Sequence, residues 1–592
     1  MKDNAPGKRK YFISELLPSV AVFFIYFLLC SFIRPKVFEI TIFTYDSFGC
    51  LALPAKLAHY DWSYALGQTG YYGPGAAVPY IPIFKLFSNP LIIYNFIYLI
   101  LNIIQAFAAL ILWHLLDKYV AKRQKVLTAV AAIIGTYFTN YIIKDIALFD
   151  VEHMTSLLIV VLAALICMYI REKSFLKTVL ICAAIFLLSV YSIVVHIRNI
   201  VFAVGILSVY IYVVLTTNLT KKRIIISGVL VSVILIVYFL LYRYVPLIFK
   251  ELLFARYWED SIQKHNMSIR VDTGVPLLET IVGTVYVLLG NIYQSIKQTY
   301  GIVIISYGIL IENVVHLFGC VKNRSKSDQV DIPNVLFIYS SSMYVIGLLG
   351  TAITWHGSNR GMGYWRYYGT YTALMISISF IRALNSKFSK EKRLLTYLAA
   401  ILSFGSVLAL KAWTADYYVH FWFVYSFLQD GYELISSVFY TFGIVLIGIT
   451  LLVKTEKYKL RVLLTYFCIF CFIPYCFKGS LVPFVANSKC DTGYLLISEL
   501  DNKGIVDSNK EIYFSGSEEA YGYYQFMMLD RGVTMDLPEN DKGILVFSDD
   551  SNIKGLSDRK DWKCIQLDDN EYVYSKDKSL LEDIQVILDK II

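Results

Sequence analysis

Charge is what this chain of 592 residues has little of: Asp, Glu, Lys and Arg together make up 17% of it, and 57% is hydrophobic. That balance excludes an ordinary soluble domain and a charged disordered one. Histidine is scarce, with eight in all. The ten cysteines form no framework, because most lie in apolar runs where a Cys acts as a small apolar residue. Cys468 and Cys471 make a CxxC inside such a run, without the second ligand pair a zinc site needs. Cys490 and Cys564 share the polar tail and could pair only if that tail is extracytoplasmic. No cleavable signal peptide is evident: the apolar part of "KRKYFISELLPSVAVFFIYFLLCSF" is too long and lacks a small-residue cleavage site, so it reads as a first spanning helix. No nucleotide-sugar motif is present, and no internal repeat of useful strength, which weakens an inverted-repeat transporter reading. Fourteen prolines in an Ile/Lys/Tyr-rich chain point to a bacterium.

Long apolar runs are what the chain has instead. A mean hydropathy of +0.57 and repeated runs of 17 or more residues place it among polytopic membrane proteins. The net charge of +9 conceals an asymmetry. Residues 484 to 592 hold 22 acidic and 12 basic residues, so the first 483 carry a net +19. A basic membrane body with an acidic tail argues against nucleic acid as a partner.

Runs long enough for a hydrocarbon core of about 30 Å fall near 12–33, 91–115, 126–144, 153–170, 176–195, 199–217, 224–245, 301–320, 334–353, 367–384, 394–412, 432–453 and 461–478. About thirteen spans with a cytosolic N-terminus put every basic cluster on one side, as the positive-inside rule requires. These clusters include Lys8-Arg9-Lys10, Lys118 to Lys125, Arg171 to Lys177, Lys221-Lys222-Arg223, Lys322 to Lys326, Arg382 to Arg393 and Lys454 to Arg461. Residues 277–294 would invert that order if they spanned, so they are expected as an interfacial or re-entrant helix on the outer face. The reading is thus an α-helical polytopic membrane protein of the plasma membrane. It has a transmembrane domain at 1–483, a first outer loop at 34–90, and a small extracytoplasmic α/β domain at 484–592. In that tail "EIYFSG", "VTMDL" and "GILVFSD" read as strands, "SEEAYGYYQFMMLDRG" as a helix, "WKCIQLDDNEYVYSK" as a hairpin and "SLLEDIQVILDKII" as a closing amphipathic helix. The tail has no GxGxxG, no GxxxxGK[ST] and no histidine, and no catalysis is assigned to it.

The outer segments carry the residues suited to chemistry. Asp46, in "IFTYDSFGC", reads either as a helix N-cap or as a general base at the membrane interface. The stretch "YYGPGAAVPYIPIF", with Tyr71 and Tyr72, is a rigid interfacial loop or the wall of a sugar or lipid head-group site. Asp150, Glu152 and His153 sit at the outer start of the fourth span, where a carboxylate persists only if it faces a cavity or a partner. Arg198, Arg360 and Arg366 run against the positive-inside trend. They ask for an anionic partner such as a phosphate, or else snorkel to lipid phosphates or pair internal acids.

These residues resemble the GT-C superfamily of polytopic glycosyltransferases, which includes protein O-mannosyltransferases and the aminoarabinose transferases of lipid A. The matching features are the early outer acid (Asp46), the aromatic/proline segment, the acid opening the fourth span (Glu152, less well Asp150) and the Arg366-Tyr367 pair. The first acid is a lone Asp rather than Asp-Glu, and "FDVEHMTS" lacks the Ser-Glu-Pro that many members show. The resemblance implies sugar transfer from a polyprenyl-phosphate carrier to an envelope acceptor on the outer face, with inversion. Asp46 would be the base. Arg366, Arg360 and Arg198 would bind the donor phosphate, Tyr71, Tyr72 and Tyr367 would line the cavity, and Glu152 would orient the acceptor or hold a divalent cation. No metal ligand set is read from the residues themselves. A flippase for a lipid-linked polar substrate and a non-catalytic envelope protein are the alternatives.

Overall fold

The computed structural model describes residues 5–33, 45–62, 64–65, 74–121, 124–139, 151–253, 277–299, 302–354, 365–385, 491–504, 512–516, 518–529, 531–535, 545–548, 561–568 and 571–591. A bundle of apolar helices accounts for most of them. Helix α1 (Ala5–Ile33) leads to a short α2 (Tyr45–Leu57) and, after two 3-10 turns at Pro74–Ala76 and Val78–Tyr80, to α3 (Ile81–Leu86). Then follow α4 (Pro90–Leu115), α5 (Lys125–Thr139), α6 (Val151–Arg171), α7 (Phe175–Val195), α8 (Val201–Thr216) and α9 (Lys221–Leu253). The bundle continues with α10 (Leu277–Gln298), α11 (Ile302–Asn323), α12 (Ile332–Thr354), the single turn α13 (Arg366–Gly369) and α14 (Ala373–Asn385).

Among the described residues, seven helices are long and apolar enough to cross a membrane: Pro90–Val120, Val151–Arg171, Phe175–Val195, Ile197–Thr216, Lys221–Tyr242, Ile302–Asn323 and Ile332–Thr354. At 1.5 Å per residue, the 21 residues of α6 match a hydrocarbon core of about 30 Å. Leu17–Ser31 and Lys125–Tyr137 are shorter apolar helices. The expected spans at 394–412, 432–453 and 461–478 lie outside the described residues, as does the domain boundary near 484.

Local signals set the helix starts. Asn89 caps α4, its side chain accepting from Ile92 N at 3.1 Å, with Pro90 at the first helical position where no amide is needed. Asp331 does the same for α12 through Asn334 N. Between helices, small residues allow close approach, which is how apolar helices associate where there is little water to expel. Gly205 of α8 is one such point: a Cβ there would come within 2.8 Å of Met343 Cγ on α12.

The basic loops meet at one end of the bundle. Arg223 donates to the carbonyls of Ile170 and Glu172, and Arg171 lies over the Tyr119 ring at 4.5 Å. Lys326 Nζ donates to Val214 O at 2.8 Å, and Arg382 donates to Asn334. The turns at 74–80, 196–200 and 365–372 occupy the opposite end. Helix α10 belongs to that end but does not lie flat on it. Val287 packs on Ala352 near the end of α12, whereas Ser295 accepts from Tyr344 at 2.7 Å, near its middle. Its first half exposes Leu277, Leu278, Ile281, Val282 and Val285, and its second half buries Asn291, Gln294 and Ser295. Helix α10 is not among the seven helices long and apolar enough to cross, and its later residues bind Tyr344 and Tyr368.

The C-terminal domain follows the order of elements read from its sequence, with one helix the sequence reading did not foresee, α15 (Asp491–Asn502). Strand β1 (Ile512–Ser515), helix α16 (Glu518–Met527), β2 (Val533–Thr534), β3 (Val546–Ser548), β4 (Lys563–Asp568), β5 (Glu571–Ser575) and α17 (Lys578–Ile591) build a sheet in the order β2-β1-β3-β5-β4. The first three strands are parallel, β5 is antiparallel to β3, and β4 is antiparallel to β5. Buried Glu571 accepts from Gly493 N at 3.1 Å and from the Tyr524 hydroxyl, tying α15, α16 and β5 together. Such a carboxylate is tolerated inside only because it is hydrogen-bonded.

Candidate active site

The site is built around the turn between α7 and α8, five residues from His196 to Ile200. His196 is extended, and its Nδ1 accepts from Arg198 N at 2.9 Å, closing a 3-10 turn. Asn199 points inward and is buried. Its Nδ2 donates to Ser192 O at 2.9 Å and to Thr155 Oγ1 at 3.1 Å, and its Oδ1 accepts from the Tyr371 hydroxyl at 3.4 Å. One amide thus joins α6, α7 and the 3-10 turn Thr370–Thr372 that leads into α14. Next to Asn199, Arg198 reaches partners of its own. Its guanidinium donates to Glu152 and lies over the ring of Tyr367 with 4.7 Å to the centroid.

Glu152 sits in the first turn of α6, where the helix dipole favours a carboxylate. Its side chain is 5% exposed and that of Arg198 is 21% exposed. A charge this deep needs its partner, because desolvation of an unpaired ion costs several kcal/mol. Arg198 keeps the more open face, and that is the face an anion would meet. His153 is turned away from this pair. Its Nδ1 meets Gln105 Nε2 of α4 at 2.5 Å, and Gln105 Oε1 accepts from Cys30 Sγ of α1 at 3.0 Å. This chain of buried groups fixes the start of α6 against α4 and α1, so His153 supports Glu152 from behind.

The aromatic/proline segment closes one side. Gly75 lies against the end of α7 so tightly that a Cβ would stand 2.8 Å from Val195 N, and its carbonyl accepts from the Tyr191 hydroxyl at 2.7 Å. Only glycine fits there, and the contact puts the loop directly before the His196–Ile200 turn. Helix α2 packs on that same loop and on α3. Asp46 is the second residue of α2. The helix that carries Asp46 therefore shares an end of the bundle with Glu152, Arg198 and Tyr367.

Glu152, Arg198 and Tyr367, from three segments far apart in the sequence, meet in one cluster, and His153 stands behind it. For Asp46 and Arg366 the backbone position is described, in the first turns of α2 and α13. Asp150, Arg360, Tyr71 and Tyr72 lie outside the described residues. Sequence reasoning missed His196, Asn199, Gln105 and Tyr371. The signal for the first two was in plain view: two polar residues flank Arg198 in a connection too short to be a free loop. Among the described residues, no group of three or more His, Cys, Asp or Glu side chains is placed to hold a metal ion.

No protein-family model and no curated protein matches the sequence. Among solved structures the chain is similar to ArnT from Cupriavidus metallidurans. With the apo state the TM-score is 0.52 at 10% identity, over 97% of this chain and 99% of that one. With the form bound to undecaprenyl phosphate it is 0.50 at 10% identity, over 96% and 99%. The likeness runs the length of both chains, C-terminal domain included. The GT-C resemblance read from the sequence is borne out in the fold.

Proposed function

We propose that the protein is a membrane glycosyltransferase that moves a sugar from a polyprenyl-phosphate donor to a cell-envelope acceptor on the outer face. The observation that carries this reading is the Glu152–Arg198–Tyr367 cluster, a partly open cation beside an aromatic ring at the end of a bundle whose fold is that of ArnT. One ArnT structure holds undecaprenyl phosphate. Arg198 suits the phosphate of such a donor, and Tyr367 offers a flat ring to a sugar. Positive-inside logic puts the basic loops in the cytosol and this cluster outside.

In the reaction, the acceptor oxygen attacks the anomeric carbon as the bond from that carbon to the phosphate oxygen breaks. The electron pair leaves with the polyprenyl phosphate, and the acceptor proton passes to the Asp46 carboxylate. Backside attack inverts the anomeric centre. Arg198, Arg366 and Arg360 stabilise the charge that grows on the departing phosphate, and Glu152 holds Arg198 in place. A divalent cation at Glu152 is a further proposal that chelation would test.

Transfer by purified protein in nanodiscs from pooled polyprenyl-phosphate sugars to envelope acceptors checks this, with Asp46→Asn run beside the wild type. A general base contributes about 10²–10⁴-fold, so the variant should lose transfer by that factor at equal thermal stability. Equal rates would remove Asp46 from the chemistry. Substrate crossing proteoliposomes without a new glycosidic bond would favour the flippase instead.

A further inference from the structure

The tail domain grips the first outer segment through contacts that the transfer reaction by itself does not require. Trp62, fully buried, donates its indole Nε1–H to Leu529 O at 2.9 Å, at the end of α16. Its ring stands edge-on to Phe84 of α3 at 5.8 Å and to Phe526 of α16 at 6.0 Å. Phe526 in turn meets Tyr94 of α4 at 6.1 Å, and Tyr64 meets Tyr521 at 5.6 Å. Rings from the bundle, the first outer segment and the tail thus form one dry cluster. Aromatic pairs of this kind stabilise beyond simple burial.

Trp62 is also rigidly joined to α2. Ala58 N and Tyr60 N return to Pro54 O and Ala55 O, both at 3.0 Å, and Trp62 N donates to Tyr60 O at 3.1 Å. Between them His59 takes the left-handed backbone, φ 74°. A non-glycine residue holds that conformation only where its surroundings impose it. The grip on Trp62 is therefore a grip on the end of α2, and α2 is a rod of 13 residues that begins at Tyr45.

We infer that the C-terminal domain is a clamp that sets the position of α2, and with it Asp46, by holding Trp62 between Phe526, Phe84 and Leu529. Phe526 and Trp62 are positioning residues. The tail domain's work is then mechanical: it fixes where the base stands. That last step rests on the proposed role of Asp46; the clamp itself does not.

The test measures amide hydrogen exchange and transfer in the full-length protein in nanodiscs, comparing wild type, Phe526→Ala, Phe526→Leu and Trp62→Phe. Phe526→Ala should speed exchange in residues 45–57 by about tenfold, as expected when a local contact is released, with α6 and α8 unchanged. Its kcat should fall by a similar factor, with the donor KM within about twofold, since binding by the arginines is untouched. Phe526→Leu, which refills the cluster, should restore most of both. Trp62→Phe removes one hydrogen bond and should move both readouts in the same direction by less, so the test survives if Phe526→Ala folds poorly. Unchanged exchange in 45–57 in both Phe526→Ala and Trp62→Phe overturns the clamp. Faster exchange with unchanged kcat overturns the positioning of Asp46. Faster exchange in a protein whose wild type transfers no sugar leaves the clamp standing and removes the glycosyltransferase reading.

Discussion

Arg223 and Arg198 sit at opposite ends of the bundle and are satisfied in opposite ways. Arg223 donates to the carbonyls of Ile170 and Glu172, the last groups of a helix and the residue after it. Those carbonyls are the negative end of the dipole of α6, so the cation there is complete without a ligand. Arg198 opens a helix, where the dipole repels it, and it is held by a carboxylate and a ring. The lesson is that an arginine is a functional candidate when helix ends cannot account for it. Lys326 follows the first pattern on Val214 O, and Arg171, at the last turn of α6, rests on the Tyr119 ring.

Exchanging the two arginines for alanine sharpens the contrast. Arg198→Ala should abolish transfer and cost about 3 kcal/mol, the low end for breaking a buried pair, because Arg198 is one-fifth exposed. Thermal unfolding in detergent beside a transfer assay reads both. A tolerated Arg198→Ala would break the comparison outright. Asn199→Ala should come next: it removes the amide's bonds to Thr155, Ser192 and Tyr371 at about 1–3 kcal/mol and lowers kcat more than it raises KM. Arg223→Ala should lose under about 1 kcal/mol and no transfer.

The sidedness of the two ends is a labelling question. Cys564 is exposed in the tail. With Cys490→Ser as background, a membrane-impermeant maleimide should reach it in intact cells, whereas Lys173→Cys at the basic end should label only after permeabilisation. Partial burial raises the Cys564 thiol above its usual range, against a smaller opposing pull from the Tyr574 hydroxyl. Its labelling should therefore keep accelerating at a pH where an ordinary thiol has levelled off. The reverse pattern of labelling would turn the bundle over and move the cluster into the cytosol.

What the sequence made legible was whatever hydropathy or local pattern encodes. Span positions through α12, the succession of strands and helices from β1 onward in the tail and the gathering of basic loops are of that kind. So was the choice of Glu152 and Arg198, because charge in an apolar setting advertises itself. Their pairing was not legible, since residues 46 apart meet only through helix packing. Asn199 was hidden for a related reason: an amide carries no charge, and its value lies in three partners on separate elements. The packing of helix α10 was not legible because its two halves obey different rules, the first apolar and exposed, the second polar and buried, and an average over the helix reports neither.

The bond from Trp62 to Leu529 joins residues 467 apart in the chain. A ribosome adding about 5–20 residues per second takes roughly twenty to ninety seconds to travel from one to the other. The segment that carries Trp62 is therefore made early and waits, its tryptophan uncovered, while the remaining spans and the tail are made. Only then does the last-made domain arrive to lock it. On the clamp reading, a chain without the C-terminal domain leaves Trp62 uncovered and α2 unheld.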